Sequence, residues 1–185
     1  MSAPYLESAR LRPRLISIGF DYLVIACWIA TLTFLGFAIR PRLPEPPGEP
    51  DLLAIDGLVF AMTVLPTWVY LTVTEAGERH ATFGKRAARL WVLTSDGLEP
   101  TVWRIALRNA VKLAPWQIAH LAVARFIVDA DTPMAMTSYV ASLALVAVTV
   151  LMAFRDPLRR GLHDRIAGTR VVSVLDSPAL RDQLS

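Results

Sequence analysis

Long apolar runs alternate with short charged segments along this chain, and their spacing predicts a fold. A helix that crosses a bilayer needs roughly 20 predominantly apolar residues. Residues 15–39 meet that requirement with Asp21 as their only formal charge, and residues 52–73 meet it with Asp56 near their start. Residues 135–154 carry no charge at all. Residues 113–128 form a shorter run, interrupted by Pro115, Gln117, His120 and Arg125, and are read as the remaining span, with a re-entrant or interfacial helix as the alternative. The pattern predicts a mainly α protein: a four-transmembrane-helix bundle in one domain, 1–185, with segments 1–14, 74–112 and 155–185 outside the membrane on one shared side.

Those three segments hold sixteen of the nineteen Lys and Arg residues. Short loops rich in Lys and Arg stay cytoplasmic, so both termini are expected in the cytoplasm. The opposite connection, residues 41–51, contains five prolines and several acids and reads as a stiff, extended link. The other external loop is very short, so the third and fourth runs should form a tight helical hairpin.

The cytoplasmic segments carry patterns of their own. Residues 77–89 are rich in Ala and Arg and predict an amphipathic surface helix. Leu90-Trp91-Val92-Leu93 followed by Ser95-Asp96-Gly97 reads as a strand and a turn. A second strand over residues 169–175 is expected to pair with Leu90–Thr94 in a small two-stranded β element, since a lone strand leaves its edges open. Thr101 is placed to cap a helix running to Lys112. On it Arg104, Arg108 and Lys112 share one face, where contact with lipid headgroups would contribute about 1 kcal/mol each. An ordinary positive-inside flank is the competing reading.

Composition agrees with a membrane setting. Hydrophobic residues make up 54% and charged residues 19%, against about 25% charge in ordinary soluble domains. The lone Cys27 cannot form an internal disulfide and reads as a packing residue. The first run exceeds a signal-peptide core and no small-residue cleavage site follows it, so it is expected to remain as a signal anchor. Nothing points to an enzyme: there is no nucleophile elbow, no metal-ligand spacing and no phosphate-binding glycine loop. No cofactor or metal is expected. The basic stripes flank apolar runs, which favours the lipid bilayer over nucleic acid as partner.

Three blocks in order carry a family resemblance. Arg14 precedes Asp21 by seven residues; Ala81-Thr82-Phe83-Gly84-Lys85-Arg86 is followed by Ser95-Asp96-Gly97 and Leu107-Arg108-Asn109; and the sequence from Gly161 through His163-Asp164-Arg165 reaches Val172. This arrangement resembles the RDD family of bacterial membrane proteins, named for one arginine and two aspartates. The resemblance implies Arg14 as the arginine, Asp21 as the first aspartate and Asp164 as the second, with Asp56 as a rival. It also implies a bacterial inner membrane. Ala87-Ala88-Arg89-Leu90 stands where related proteins often have a glycine-containing turn. Activity in the family is poorly defined; transport of ions or small ligands is suggested, and sodium/proton exchange for some members.

The polar residues near the membrane are the candidate site. Seven residues separate Arg14 from Asp21, close to two helical turns, so both lie on one face about 10 Å apart. A carboxylate at that depth costs roughly 2.5–3.5 kcal/mol and should face protein or water. Asp21 is either a proton- or cation-binding group or a fixed contact to Arg14, Asn109 or the tail backbone. Asp164 either pairs locally with neighbouring arginines or joins a ligand site, and one Arg14 reaching both aspartates would clamp the first span to the tail. His120 is a proton relay or an interhelical hydrogen-bonding residue. Arg125 is expected to pair with Asp129, and Asp56 to be solvated near the external surface. Two functions stand: a cation/proton-exchanging transport subunit, oligomeric because four short helices hardly enclose a pathway, or a non-transporting adaptor or regulator of a partner membrane protein.

Overall fold

The computed structural model describes residues 8–44, 48 and 51–174. Helix α1 covers Leu11–Ile39 and ends in a 3-10 turn. Helices α2 (Leu52–Val59) and α3 (Leu65–Ala76) are joined end to end by a π-helical turn, Phe60–Val64. A five-residue α4 (Phe83–Ala87) leads to β1 (Leu90–Thr94), then to α5 (Val102–Ile127) and α6 (Thr132–Arg155). A short α7 (Leu162–Ala167) and β2 (Thr169–Ser173) complete the described fold. Three helical stretches, Leu11–Arg42, Leu52–Ala76 and Thr132–Arg155, are long and apolar enough to cross a membrane.

The predicted fourth span, 113–128, does not begin a new helix. It is the second half of α5, whose 26 residues extend about 39 Å. The expected break at Lys112 is absent: α5 runs on through Pro115, although that residue has no N–H for the helix. The predicted hairpin between the third and fourth runs is present. Asp129 and Asp131 adopt left-handed φ values of 52° and 46° to reverse the chain, and Asp131 accepts from the Met134 amide at 3.3 Å.

Proline also explains the π-helical turn. Pro66 has no N–H to offer the Met62 carbonyl one turn back. That oxygen accepts instead from the Trp28 indole at 2.9 Å, which ties α1 to the kinked helix halfway along its length.

The predicted sheet forms as expected between Leu90–Thr94 and the strand of the tail; Leu175 and Arg181 lie outside the described residues, as does part of the proline-rich link. The strands are antiparallel, with Trp91 opposite Val172 and Val92 opposite Val171. Ala9 adds to the open edge of β2 by donating to the Val171 carbonyl at 3.1 Å. Trp91, Leu93, Val172 and Val174 pack on one face with Ala81, and Leu90, Val171 and Ala9 on the other. Burial of both faces is why Leu90–Leu93 reads as a continuous apolar run rather than an alternating one. The Ser95-Asp96-Gly97 turn is also present, with Gly97 at φ 91°.

The predicted amphipathic helix over 77–89 shrinks to Phe83–Ala87. His80 takes a left-handed φ of 42° before it, and the Thr82 hydroxyl caps its start by accepting from the Lys85 amide. The sheet with α4 and α7 forms one layer under the long helices. Truncating fully buried Val172 to alanine is expected to destabilise this layer by about 2 kcal/mol, seen as a lower thermal transition of Trp fluorescence in detergent.

Candidate functional site

Asp21 lies nearly three turns into α1 and is only 5% exposed. It meets the N terminus of α4, where backbone donors left free by the helix geometry favour a negative charge. One carboxylate oxygen accepts from the Gly84 amide at 2.9 Å and from the Tyr70 hydroxyl at 3.4 Å; the other accepts from the Thr82 hydroxyl at 2.6 Å. The Lys85 ammonium stands 3.8 Å away. This approach requires glycine at position 84, since a methyl there would collide with the Ser17 carbonyl and sit 2.8 Å from the Asp21 carboxylate.

From Asp21 a line of buried charges runs across the top of the sheet layer. Lys85 reaches one oxygen of Glu75 at 2.8 Å, and Arg108 reaches the other at 2.7 Å. Arg108 also donates through Nε to Asp164 at 2.8 Å. Asn109 donates to Glu75 at 3.2 Å, and Thr169 donates to Asp164 at 3.0 Å. Burial opposes ionisation of Asp164, but Arg108 and His163 hold its carboxyl well below the usual range. Burial lowers the pKa of His163 in spite of the adjacent Asp164. Removing one partner from a buried pair leaves an uncompensated charge, at a cost of about 3–5 kcal/mol.

This arrangement corrects several expectations. Arg14 does not bridge the two aspartates. Its guanidinium donates to three backbone carbonyls, of Ala9 at 3.2 Å, Arg159 at 2.7 Å and Val171 at 3.2 Å. It therefore does fasten the first span to the tail, but by filling carbonyls rather than by pairing with carboxylates. The cation on Asp164 is Arg108, and the neighbouring Arg160 and Arg165 pair with Asp156 instead, at 3.0 and 3.2 Å. Arg104, Arg108 and Lys112 do not form one outward stripe. Arg104 is exposed, Arg108 is 2% exposed and committed to its two carboxylates, and Lys112 is half-buried and faces a cavity. The rotation of α5 turns Arg108 onto Glu75 and Lys112 towards the cavity, leaving only Arg104 outward.

Asp56 is not simply solvated. It holds Arg125 in a two-pronged ion pair, 2.9 and 2.8 Å, joining the far ends of α2 and α5, so Arg125 does not take Asp129 as its partner. His120 stacks near Trp116, ring centres 5.2 Å apart, and its Nδ1 lies 2.9 Å from that residue's carbonyl. Asn109 serves Glu75 rather than Asp21. Sequence reasoning missed Glu75 as the centre of the network. Its signal was available: an acid closing an apolar span, ten residues before a lysine in the motif block. Among the described residues no group of three or more His, Cys, Asp or Glu is placed to hold a metal ion.

The model of the RDD family matches residues 8–168, from the edge of the sheet through α7. The chain belongs to the RDD family. No curated protein and no solved structure matches it. In this RDD protein Asp21 and Asp164 stand at the two ends of one network, and Glu75, with Lys85 and Arg108, joins them.

Gly84→Ala is expected to cost about 1–3 kcal/mol by displacing α4 from Asp21. Gly57→Ala, with open space around the added methyl, is the control; equal melting temperatures for the two variants would contradict the close approach. A pH dependence follows from Asp164. Its folded carboxyl lies below 3.8, so the unfolded chain takes up the proton first as the pH falls. The stabilisation is present above the unfolded value and is lost as pH drops through 3.8 towards the folded value. Melting temperatures measured from about pH 6 to about pH 3 should fall more steeply for wild type than for Asp164→Asn.

Proposed function

We propose that this RDD protein is a non-transporting membrane adaptor, whose network holds a sheet layer rigidly beneath its spans for a partner membrane protein to bind. The observation that carries this reading is the engagement of both Asp21 oxygens by fixed donors of the fold. The donors come from Thr82, Gly84 and Tyr70, with Lys85 alongside. A carboxylate that exchanges cations needs a free ligand position, and one that exchanges protons needs an accessible charged form. The other buried acids among the described residues are likewise matched, Glu75 and Asp164 by Lys85 and Arg108, and Asp156 by Arg160 and Arg165. In this reading the second half of α5 is the fourth span, the sheet layer and both termini are cytoplasmic by the positive-inside rule, and the protein is not an enzyme.

The transport reading has one observation in its favour. A cavity of about 490 Å3 reaches Asp21, Lys85 and Lys112 from between the helices. The two readings separate in proteoliposomes loaded with a trapped pH dye and pulsed with sodium or potassium. The adaptor reading expects wild type and Asp21→Asn, matched for insertion, to show the same background as protein-free vesicles. Flux in wild type that disappears in Asp21→Asn would sink it and establish exchange through Asp21.

A further inference from the structure

Two cavities, of about 490 and 310 Å3, adjoin between α1 and α6 and share Ile18, Lys85, Lys112, Thr149, Val150 and His163 in their linings. Their charge is one-sided. Five cations (Arg14, Lys85, Arg108, Lys112 and Arg159) line them against two carboxylates, Asp21 and Asp164. Both carboxylates are already occupied within the network. Among the described residues, neither the Lys112 ammonium nor the Arg159 guanidinium makes an ion pair or a side-chain hydrogen bond, yet both line the smaller cavity. Arg159 is held there by a left-handed backbone, φ 53°, with its carbonyl anchored by Arg14.

The walls are apolar and face sideways. Ile18 on α1 is 48% exposed and Val150 on α6 is 46% exposed, and both helices are among those able to cross a membrane. A water-soluble anion would leave these walls uncovered, whereas an anion carrying acyl chains would fill both parts.

We infer that the groove between α1 and α6 is a binding site for one acidic phospholipid, its phosphate on Lys112 and Arg159 and its chains along Ile18 and Val150. The lipid contact expected at the surface stripe thus moves to an inward groove at the level of the buried network. It bridges α1 to α6, two helices whose direct packing is slight. The site stands whether the protein transports or not.

Native mass spectrometry of the full chain in detergent tests this, using phosphatidylglycerol and phosphatidylcholine of identical acyl chains. The wild type is expected to retain phosphatidylglycerol preferentially. Lys112→Gln and Arg159→Gln should each weaken that preference about fivefold, and Lys112→Arg should keep it. Arg104→Gln, which removes an exposed cation outside the groove, should change nothing. Val150→Trp leaves every charge in place and should abolish retention by filling the groove, so a folding defect in the charge variants does not decide the matter. Equal retention of the two lipids by wild type overturns the site. So does an undiminished preference in Val150→Trp, or a lipid-free dimer that Val150→Trp dissociates, which would assign the groove to a second copy.

Discussion

The three carboxylates of one network are buried where the long helices meet the sheet layer, and the residues around them are arranged so that they can stay charged. An isolated charge in such a place is costly enough to be neutralised or expelled. Here Asp21 receives the N terminus of α4, Glu75 sits between Lys85 and Arg108, and Asp164 takes the other side of Arg108. Each residue comes from a different element, so the network cannot assemble until α1, α3, α4, α5 and α7 are in place together. The apolar helices would pack in many ways on their own, because lipid and protein offer similar surroundings to Leu and Val. The buried charges have one acceptable arrangement, and they specify it.

The attachment of α1 illustrates the consequence. Along most of its length this helix shows its side chains to the surroundings, and its firm contacts lie at the sheet end. There Asp21 draws in α4 and Arg14 fills three carbonyls of the chain termini. Trp28 adds one more tie, to a carbonyl left open by Pro66. A helix held at one end and pinned once above leaves space beside it, and the cationic groove between α1 and α6 is that space. Lys85 and Arg108, which neutralise the acids, also line the groove beside the uncommitted Lys112 and Arg159.

Much of the fold was legible because it rests on local rules. The strand at Leu90–Thr94, the Gly97 turn, the Thr101 cap and the reversal between α5 and α6 follow from short-range chemistry that a few consecutive residues display. Pairing of the two strands was legible as well, since two short β-rich segments on one side had few other partners. Element boundaries were less legible, because they depend on tertiary contacts as well as on local composition. The helix expected to stop at Lys112 runs on to Ile127, and the alanines and arginines of 77–89 form a helix only over Phe83–Ala87.

The candidate site was legible in membership but not in partnership. Asp21, Asn109, Arg108 and Asp164 were all singled out, whereas Glu75 was not, and Arg14 was assigned carboxylates it does not touch. Hydropathy and charge spacing determined by themselves that the chain is helical, apolar and polarised, because those properties depend on neighbours along the sequence. Which cation meets which acid depends on the rotation and depth of helices tens of residues apart. A turn of about 100° per residue decides whether Arg108 faces lipid or Glu75. Only the packed structure sets that angle, and it does so by the cost of leaving a buried carboxylate without a partner.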